Sequence, residues 1–272
     1  MLSGAQRDRI ARQIAEIAAA AGDVLNCFRS DQCRREMKAD GSPVSEADLA
    51  AEAELKRLLS AAFPDLPIIS EENTASHDLA PGAGFLLVDP LDGTRSFLDG
   101  GKDFCILVAL IENAVPVAGA IHAPAEGASW WAGASAWRSR DRAFAGVETL
   151  KPAPLRPGLR RAVVSRHHAE GASLDFCARL GIGSVRHENS ALKFVRLAQD
   201  EADLYPRLGR TMQWDIAAGD ALLRSLGGGI YDLAGNALRY GPRSAGWANP
   251  DFVAFRCVQD RPADSLMAPA GA

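Results

Sequence analysis

The 272-residue sequence predicts an α/β fold of the α+β kind, and three observations predict it. Apolar residues recur at helical spacing through residues 6–62, and short apolar runs separated by turns follow to about residue 150. Beyond a proline-rich break, short strands and helices alternate. That break, Lys151-Pro152-Ala153-Pro154-Leu155-Arg156-Pro157-Gly158, holds three prolines in eight residues and reads as a junction. It divides the chain into an N-terminal α+β part, residues 1–150, and a C-terminal α/β part, residues 151–272.

Ile10, Ile14, Ile17, Ala21, Val24 or Leu25, and Phe28 are spaced as one face of an amphipathic helix over residues 6–28. A polar stretch follows and ends in Lys38-Ala39-Asp40-Gly41-Ser42-Pro43, a turn by its glycine and proline. Ser45 then has the place of an N-cap, with Asp48 at the third helical position. The second helix runs to about residue 62, presents Leu49, Ala53, Leu55, Leu58 and Leu59, and is stopped by Pro64. Short strands are expected at 67–70 and 85–88, the second apolar on both faces and therefore central in a sheet. Residues 104–111 and 115–122 form a hairpin around Glu112-Asn113-Ala114. Trp130-Trp131 and Ala136-Trp137 continue this antiparallel texture, and sheet packing outweighs ligand stacking as their reading. After the junction, strands at 162–165, 184–185, 202–205, 230–231 and 252–257 alternate with helices at 170–180, 191–199 and 214–226. Gly227-Gly228-Gly229 stops the last helix, and the Ala/Pro-rich tail after Arg261 is expected to be loose.

Composition excludes several classes of function. A net charge of −4 without a long basic run argues against a nucleic-acid polymer as partner. The cysteines at 27, 33, 105, 177 and 257 are scattered, odd in number and lack CxxC spacing, as expected of reduced thiols in a cytoplasmic protein. Arg7, Asp8, Arg9, Arg12 and Glu16 interrupt any signal-peptide core. No apolar run reaches the roughly 18 residues that a transmembrane helix needs.

Two segments carry the chemistry: Ser70-Glu71-Glu72 and Asp89-Pro90-Leu91-Asp92-Gly93-Thr94. Each ends a compact apolar run, and the ends of strands are where side chains from distant segments meet. Clustered carboxylates repel one another unless cations neutralise them. An oxygen-rich cluster of this kind suits magnesium, which in turn suits phosphoryl chemistry. Pro90 is read as an abrupt turn, and Gly93 as a close approach of backbone to ligand, with the Gly93 and Thr94 amides free to hold phosphate. Asp48 and Asp215, the latter at the start of its helix after Trp214, can face the same cavity. Each has a plainer reading as a helix cap, Glu72 as a solvated neighbour of Glu71, and Asp-x-x-Asp-Gly-Thr as a turn.

The segment Asp89-Pro90-Leu91-Asp92-Gly93-Thr94, paired with Trp214-Asp215-Ile216-Ala217-Ala218-Gly219, resembles the two-part signature of the inositol monophosphatase superfamily. The likeness runs from Asp40-Gly41-Ser42-Pro43-Val44-Ser45-Glu46-Ala47-Asp48 to Asn249-Pro250. Within that superfamily the chain looks most like the CysQ-type 3'(2'),5'-bisphosphate nucleotidases. The segments that point there are Asp40 to Asp48, Ser165-Arg166-His167-His168, Ser190-Ala191-Leu192-Lys193-Phe194 and Leu204-Tyr205-Pro206-Arg207. Asn189 departs from that pattern, which has glycine there.

The resemblance implies a five-layer αβαβα sandwich and two or three magnesium ions per active site. Glu71, Asp89 and the Leu91 carbonyl would hold one ion; Asp89, Asp92 and Asp215 would hold a second, with Asp89 shared. Asp48 and Thr94 would pair to orient and deprotonate the attacking water. Substrate contacts would come from Glu71, Leu91, Asp92, Gly93, Thr94, Ser165, His168, Ser190, Lys193, Arg207 and Asp215, with Arg210 a further source of charge. The implied reaction removes the 3'-phosphate of adenosine 3',5'-bisphosphate, and acts also on 3'-phosphoadenylyl sulfate, in sulfur assimilation. Inhibition by lithium, a monomer or homodimer, and a cytoplasmic or inner-membrane-peripheral location are implied as well. The alternatives are an inositol-1-phosphatase, fructose-1,6-bisphosphatase or histidinol-phosphatase of the same superfamily, and, from another class, a non-catalytic binding protein on this scaffold.

Overall fold

The computed structural model describes residues 2–29, 35–37, 43–156, 158, 160–166 and 171–262. Asp40, Gly41 and Ser42 of the expected turn, Cys33, His168 and the tail from residue 263 lie outside them.

The chain opens with helix α1 (Gly4–Arg29), which buries a stripe of small and branched residues including Ile14, Ala18, Ala21 and Leu25. Strands β1 (Arg35–Met37) and β2 (Pro43–Ser45) pair antiparallel in a short ribbon that the sequence reading covered only as a turn. Helix α2 (Glu46–Ala62) follows directly, with Ser45 at its N-cap and a full capping box to Asp48. The buried face of α2 is Ala47, Asp48, Ala51, Leu55 and Leu59, whereas Leu49 is 54% exposed and Ala53 is exposed. Of the expected face, Leu55 and Leu59 are buried and Leu58 packs against the same core, while Leu49 and Ala53 fall outside it. The cap orients Asp48 inward, and counting from it in steps of three and four selects Ala51, Leu55 and Leu59.

Seven strands then build one sheet: β3 (Ile68–Ser70), β4 (Gly84–Asp92), β5 (Cys105–Glu112), β6 (Val115–Ala123), β7 (Ala128–Ala132), β8 (Ala136–Ser139) and β9 (Val147–Leu150), in that spatial order. Every pairing is antiparallel except β3 with β4. The β5–β6 hairpin turns on Asn113 and Ala114, both at positive φ, the conformation that a tight two-residue turn requires. The short helix α3 (Thr94–Leu98) leaves β4 at Gly93.

A second sheet comprises β10 (Arg161–Ser165), β11 (Ser184–Glu188), β12 (Leu204–Arg207), β13 (Gly229–Asp232) and β14 (Phe252–Phe255), in the order β11-β10-β12-β14-β13. Helices α4 (Gly171–Arg179), α5 (Leu192–Ala198) and α6 (Ala217–Ser225) connect its strands. The expected single helix over 214–226 is instead a 3₁₀ turn, Gln213–Asp215, followed by α6.

Side-chain alternation stacks these elements in five layers. Leu86, Val88, Ile106, Val108 and Leu110 point from the first sheet toward α1 and α2. Their neighbours Phe85, Leu87, Leu107, Ala109 and Ile111 point the other way, into a core shared with α5, α6 and Val163, Tyr205, Phe252 and Ala254 of the second sheet. Helix α4 covers the outer face of that sheet through Phe176 and Cys177. The order is helices, sheet, helices, sheet, helix, the αβαβα sandwich. Helices α5 and α6 touch so closely that a Cβ on Gly219 would lie 2.3 Å from the Phe194 ring, which explains the glycine ending Trp-Asp-Ile-Ala-Ala-Gly. Trp131 stacks on Trp137 and Trp130 joins the inner core, so these tryptophans pack the sheet.

His122 of β6 is 1% exposed, accepts or donates one bond to Ser129 Oγ at 2.8 Å, and lies under Gly22 of α1. Burial, reinforced by Arg142, depresses its pKa from 6.5 to about 4, so it is neutral in the fold. The unfolded chain binds the proton more readily between those values, so stability is lost as pH falls from 6.5 toward 4. Between pH 7.5 and 5 the wild type is expected to lose about 2 kcal/mol more stability than His122→Gln, as read by denaturant unfolding. Parallel losses in the two proteins would assign the pH dependence elsewhere.

Candidate active site and metal centre

The site lies where the ends of β3 and β4 meet the 3₁₀ turn before α6. Asp89 is inside β4, paired with Leu107; the ladder then slips, resuming at Asp92 opposite Cys105. Pro90 therefore sits in a bulge within a continuing strand and not in an abrupt turn, because a residue without an N–H fits where the ladder is already interrupted. The bulge aims Asp89 into the interior, 2% exposed, with one oxygen accepting the Leu91 N–H at 3.0 Å. Glu71 follows β3, its N–H donating to the Val88 carbonyl at 3.1 Å. Asp215 closes the 3₁₀ turn, and its carboxylate accepts the Met212 N–H at 2.8 Å. That turn is pinned from outside: the Asn249 side chain donates to the Met212 carbonyl at 2.7 Å, and Gln213 exchanges two 2.7 Å bonds with Gly241.

Among the described residues, one carboxylate oxygen each from Glu71, Asp89 and Asp215 lie within 4.8 Å of one another. Burial raises the pKa of Asp89 well above the usual carboxylate range, and Glu71, Asp92 and Asp215 raise it further. Asp215 is raised by burial and then by Glu71 and Asp92. One buried and two half-buried carboxylates that repel one another are the environment that a hard divalent cation relieves, so this donor set fits a metal and favours magnesium or a similar ion over a thiophilic one.

Asp92 stands outside that triangle of ligand atoms. Its carboxylate accepts the Ala191 N–H, and its pKa is raised by burial to about 6 against the opposing charges of Lys193 and Arg207. The loop 189–191 thus closes over the β4 bulge, with Ser190 at φ +51°. Gly93, at φ +95°, permits the approach: a Cβ there would lie 2.8 Å from the Asp103 carbonyl and 3.3 Å from Ser190 Cβ.

Asp48 is 1% exposed and serves two elements. One oxygen accepts both the Ser45 N–H at 2.8 Å and the Ser45 hydroxyl at 2.5 Å, completing the cap. The other faces the Thr94 hydroxyl at 3.3 Å, and that hydroxyl also reaches the Leu91 carbonyl at 3.0 Å. The cap and the contact to Thr94 use different oxygens of Asp48 and are therefore compatible.

The other expected contacts divide. Ser165 is buried at the end of β10, in register with Glu188 and hence beside loop 189–191. Lys193 is buried too: its ammonium donates to the Ser190 carbonyl and lies 5.3 Å from the Tyr205 ring centroid. Burial lowers its pKa to about 8, with Asp92 acting in the opposite sense. Arg207 is buried, donating to the Arg210 carbonyl at 2.9 Å, while Arg210 itself is exposed. Asn189 is buried and its amide donates to Asp103 at 3.2 Å.

Several participants escaped the sequence reading. Glu52 accepts a hydrogen bond from the Ser70 hydroxyl, and burial raises its pKa. Its position four residues after Asp48 on one helix face was an available signal. His77, in a 3₁₀ turn over Thr74–Asp78, bonds the Ser70 carbonyl at 2.8 Å and stacks on Trp214. Nothing in the sequence spacing marks it.

A carboxylate-lined centre at the edge of one sheet in a five-layer sandwich defines a known class. Residues 6–257 match the inositol monophosphatase family, and the chain belongs to it. Among curated proteins it is similar to the 3'(2'),5'-bisphosphate nucleotidase CysQ of Escherichia coli (strain K12). The two are 34% identical over 245 residues, 88% of this chain and 97% of that one. The protein of the same description from Aggregatibacter actinomycetemcomitans is 35% identical over 264 residues, 94% of this chain and 95% of its own. Among solved structures, CysQ from Bacteroides thetaiotaomicron superposes with a TM-score of 0.76 at 28% identity, covering 94% of this chain and 98% of that one. An IMPase from Thermotoga maritima superposes with a TM-score of 0.75 at 22% identity, a likeness of fold.

Proposed function

We propose that this chain is a magnesium-dependent 3'(2'),5'-bisphosphate nucleotidase. It takes the 3'-phosphate from adenosine 3',5'-bisphosphate, giving AMP and inorganic phosphate, and accepts 3'-phosphoadenylyl sulfate as a related substrate. The observation that carries the reaction is the convergence of Glu71, Asp89 and Asp215 next to the Asp48–Thr94 pair. The identity to bisphosphate nucleotidases over nearly the whole chain supports the choice of substrate.

Magnesium, when bound, supplies the positive charge that draws in the phosphate and stabilises the leaving ribose oxygen. Glu71, Asp89 and Asp215 would hold it, with the Leu91 carbonyl and Asp92 as further oxygens on the same bulge. Thr94 Oγ1 positions the attacking water and Asp48 receives its proton; threonine alone is too weak an acid-base group, and the adjoining carboxylate remedies that. The amides at Gly93 and Thr94 hold the transferred phosphate. Lys193 and Arg207, whose charges act on Asp92, set the field for an anionic substrate. Ser165, Ser190 and Arg207 face the nucleoside and its 5'-phosphate. The four described cysteines are free thiols, and no described helix is long and apolar enough to cross a membrane.

Phosphate release with magnesium across adenosine 3',5'-bisphosphate, inositol 1-phosphate and fructose 1,6-bisphosphate tests the reading. Preference for the bisphosphonucleoside is expected. Preference for inositol 1-phosphate would contradict the substrate assignment, and no release from any of the three would favour a binding protein on this scaffold.

A further inference from the structure

The two ligand carriers Glu71 and Asp215 lie far apart in sequence, yet one side chain bridges the segments that hold them. The His77 ring stacks on Trp214, the residue before Asp215, with centroids 4.8 Å apart and planes at 20°. Its Nε2 donates to the carbonyl of Ser70, the residue before Glu71, at 2.8 Å; a carbonyl only accepts, which fixes the proton on Nε2. The backbone of His77 completes a ring of contacts: its carbonyl accepts the Trp247 indole N–H at 3.0 Å, and the Trp247 carbonyl accepts the Gln213 N–H at 2.9 Å. The Ser70 hydroxyl meanwhile donates to Glu52 of α2, and its N–H donates to Ser76 Oγ at 3.1 Å. The hydroxyl, N–H and carbonyl of Ser70 are thus all hydrogen-bonded, the carbonyl also approached by Ser76 Oγ at 3.5 Å.

We propose that His77 is a positioning residue that sets the separation between the Glu71 and Asp215 carboxylates. The inference rests on the metal-site reading above and adds to it a strut that touches neither ligand. Three carboxylates that repel one another relax apart unless their backbones are braced, and a relaxed triangle binds a small cation with strict geometry poorly. The ring stack braces the Asp215 side, and the Nε2 hydrogen bond braces the Glu71 side. The stack is on the buried Trp214 and the hydrogen bond is to the Ser70 backbone, so the effect is expected on metal affinity and not on the chemical step.

The test uses the full chain and magnesium alone, followed by titration calorimetry, beside thermal melting in chelator. His77→Ala removes both braces and is expected to weaken magnesium binding by about 10-fold or more. His77→Phe keeps the stack, His77→Gln keeps a donor near the Ser70 carbonyl, and each is expected to give a smaller loss. In turnover assays the variants should need more magnesium for half-maximal rate while reaching nearly the wild-type rate at saturation. His77→Phe and His77→Gln remain informative should the alanine variant fold poorly. Wild-type magnesium affinity in these variants would overturn the strut and leave the metal site standing. Absence of magnesium binding in the wild-type chain would overturn both.

Discussion

Asp89→Asn is expected to abolish phosphate release and, in the metal-free protein, to raise the melting temperature. The two effects share one cause. Asp89 is buried at the centre of the cluster, and its charge is opposed by burial and by Glu71, Asp92 and Asp215. With no cation present, the asparagine removes a buried negative charge yet keeps an oxygen to accept the Leu91 N–H. A gain of about 1–2 kcal/mol, or a few degrees of melting temperature, is the expected scale. With magnesium present the same change takes away one of the three converging carboxylates proposed to hold it, and a fall in kcat/KM of ~10³-fold or more is expected, about 4 kcal/mol of lost transition-state stabilisation. Melting in chelator and turnover in magnesium read the two arms separately. An active Asp89→Asn enzyme would remove Asp89 from the metal site, and a lower melting temperature in chelator would show that the cluster is not under electrostatic strain.

Thr94→Val tests the proton path. Valine matches threonine in shape but cannot donate to Asp48 or to the Leu91 carbonyl. The expected loss is ~10²–10⁴-fold in kcat, the usual contribution of a positioned acid-base group. Magnesium affinity should be nearly unchanged, because the Thr94 side chain is not among the converging carboxylates. Thr94→Ser restores the hydroxyl and should recover most of the rate. The corresponding Asp48→Asn change is a poorer probe, since one Asp48 oxygen also accepts the Ser45 N–H and hydroxyl and its alteration costs about 1 kcal/mol of helix capping. Activity of Thr94→Val within a few-fold of wild type would contradict the assigned path.

Much of the fold was legible because local signals agreed with the final packing. Ser45 and Asp48 form the expected cap, and Asn113-Ala114 turns the expected hairpin. The acidic residues at 71, 89 and 215 converge as the motifs suggested. What stayed hidden depends on distant contacts. Pro90 reads locally as a turn, but pairing on the far side lets β4 run on through a bulge to Asp92. Trp214 and Asp215 read as the first turn of a helix, yet Gln213 and Asn249 hold them in a separate 3₁₀ turn. The burial of Lys193 depends on Tyr205, brought up by another strand, whose ring centroid lies 5.3 Å from its ammonium. His77 acts only through Ser70 and Trp214, so no spacing rule along the chain reveals it.

The most direct test of the central claim is the identity of the product formed from adenosine 3',5'-bisphosphate, followed by phosphorus NMR with and without magnesium. The site described here predicts AMP retaining its 5'-phosphate together with inorganic phosphate, and no conversion once a chelator has removed the metal. Accumulation of adenosine 3'-monophosphate, or release that persists undiminished in chelator, would contradict it.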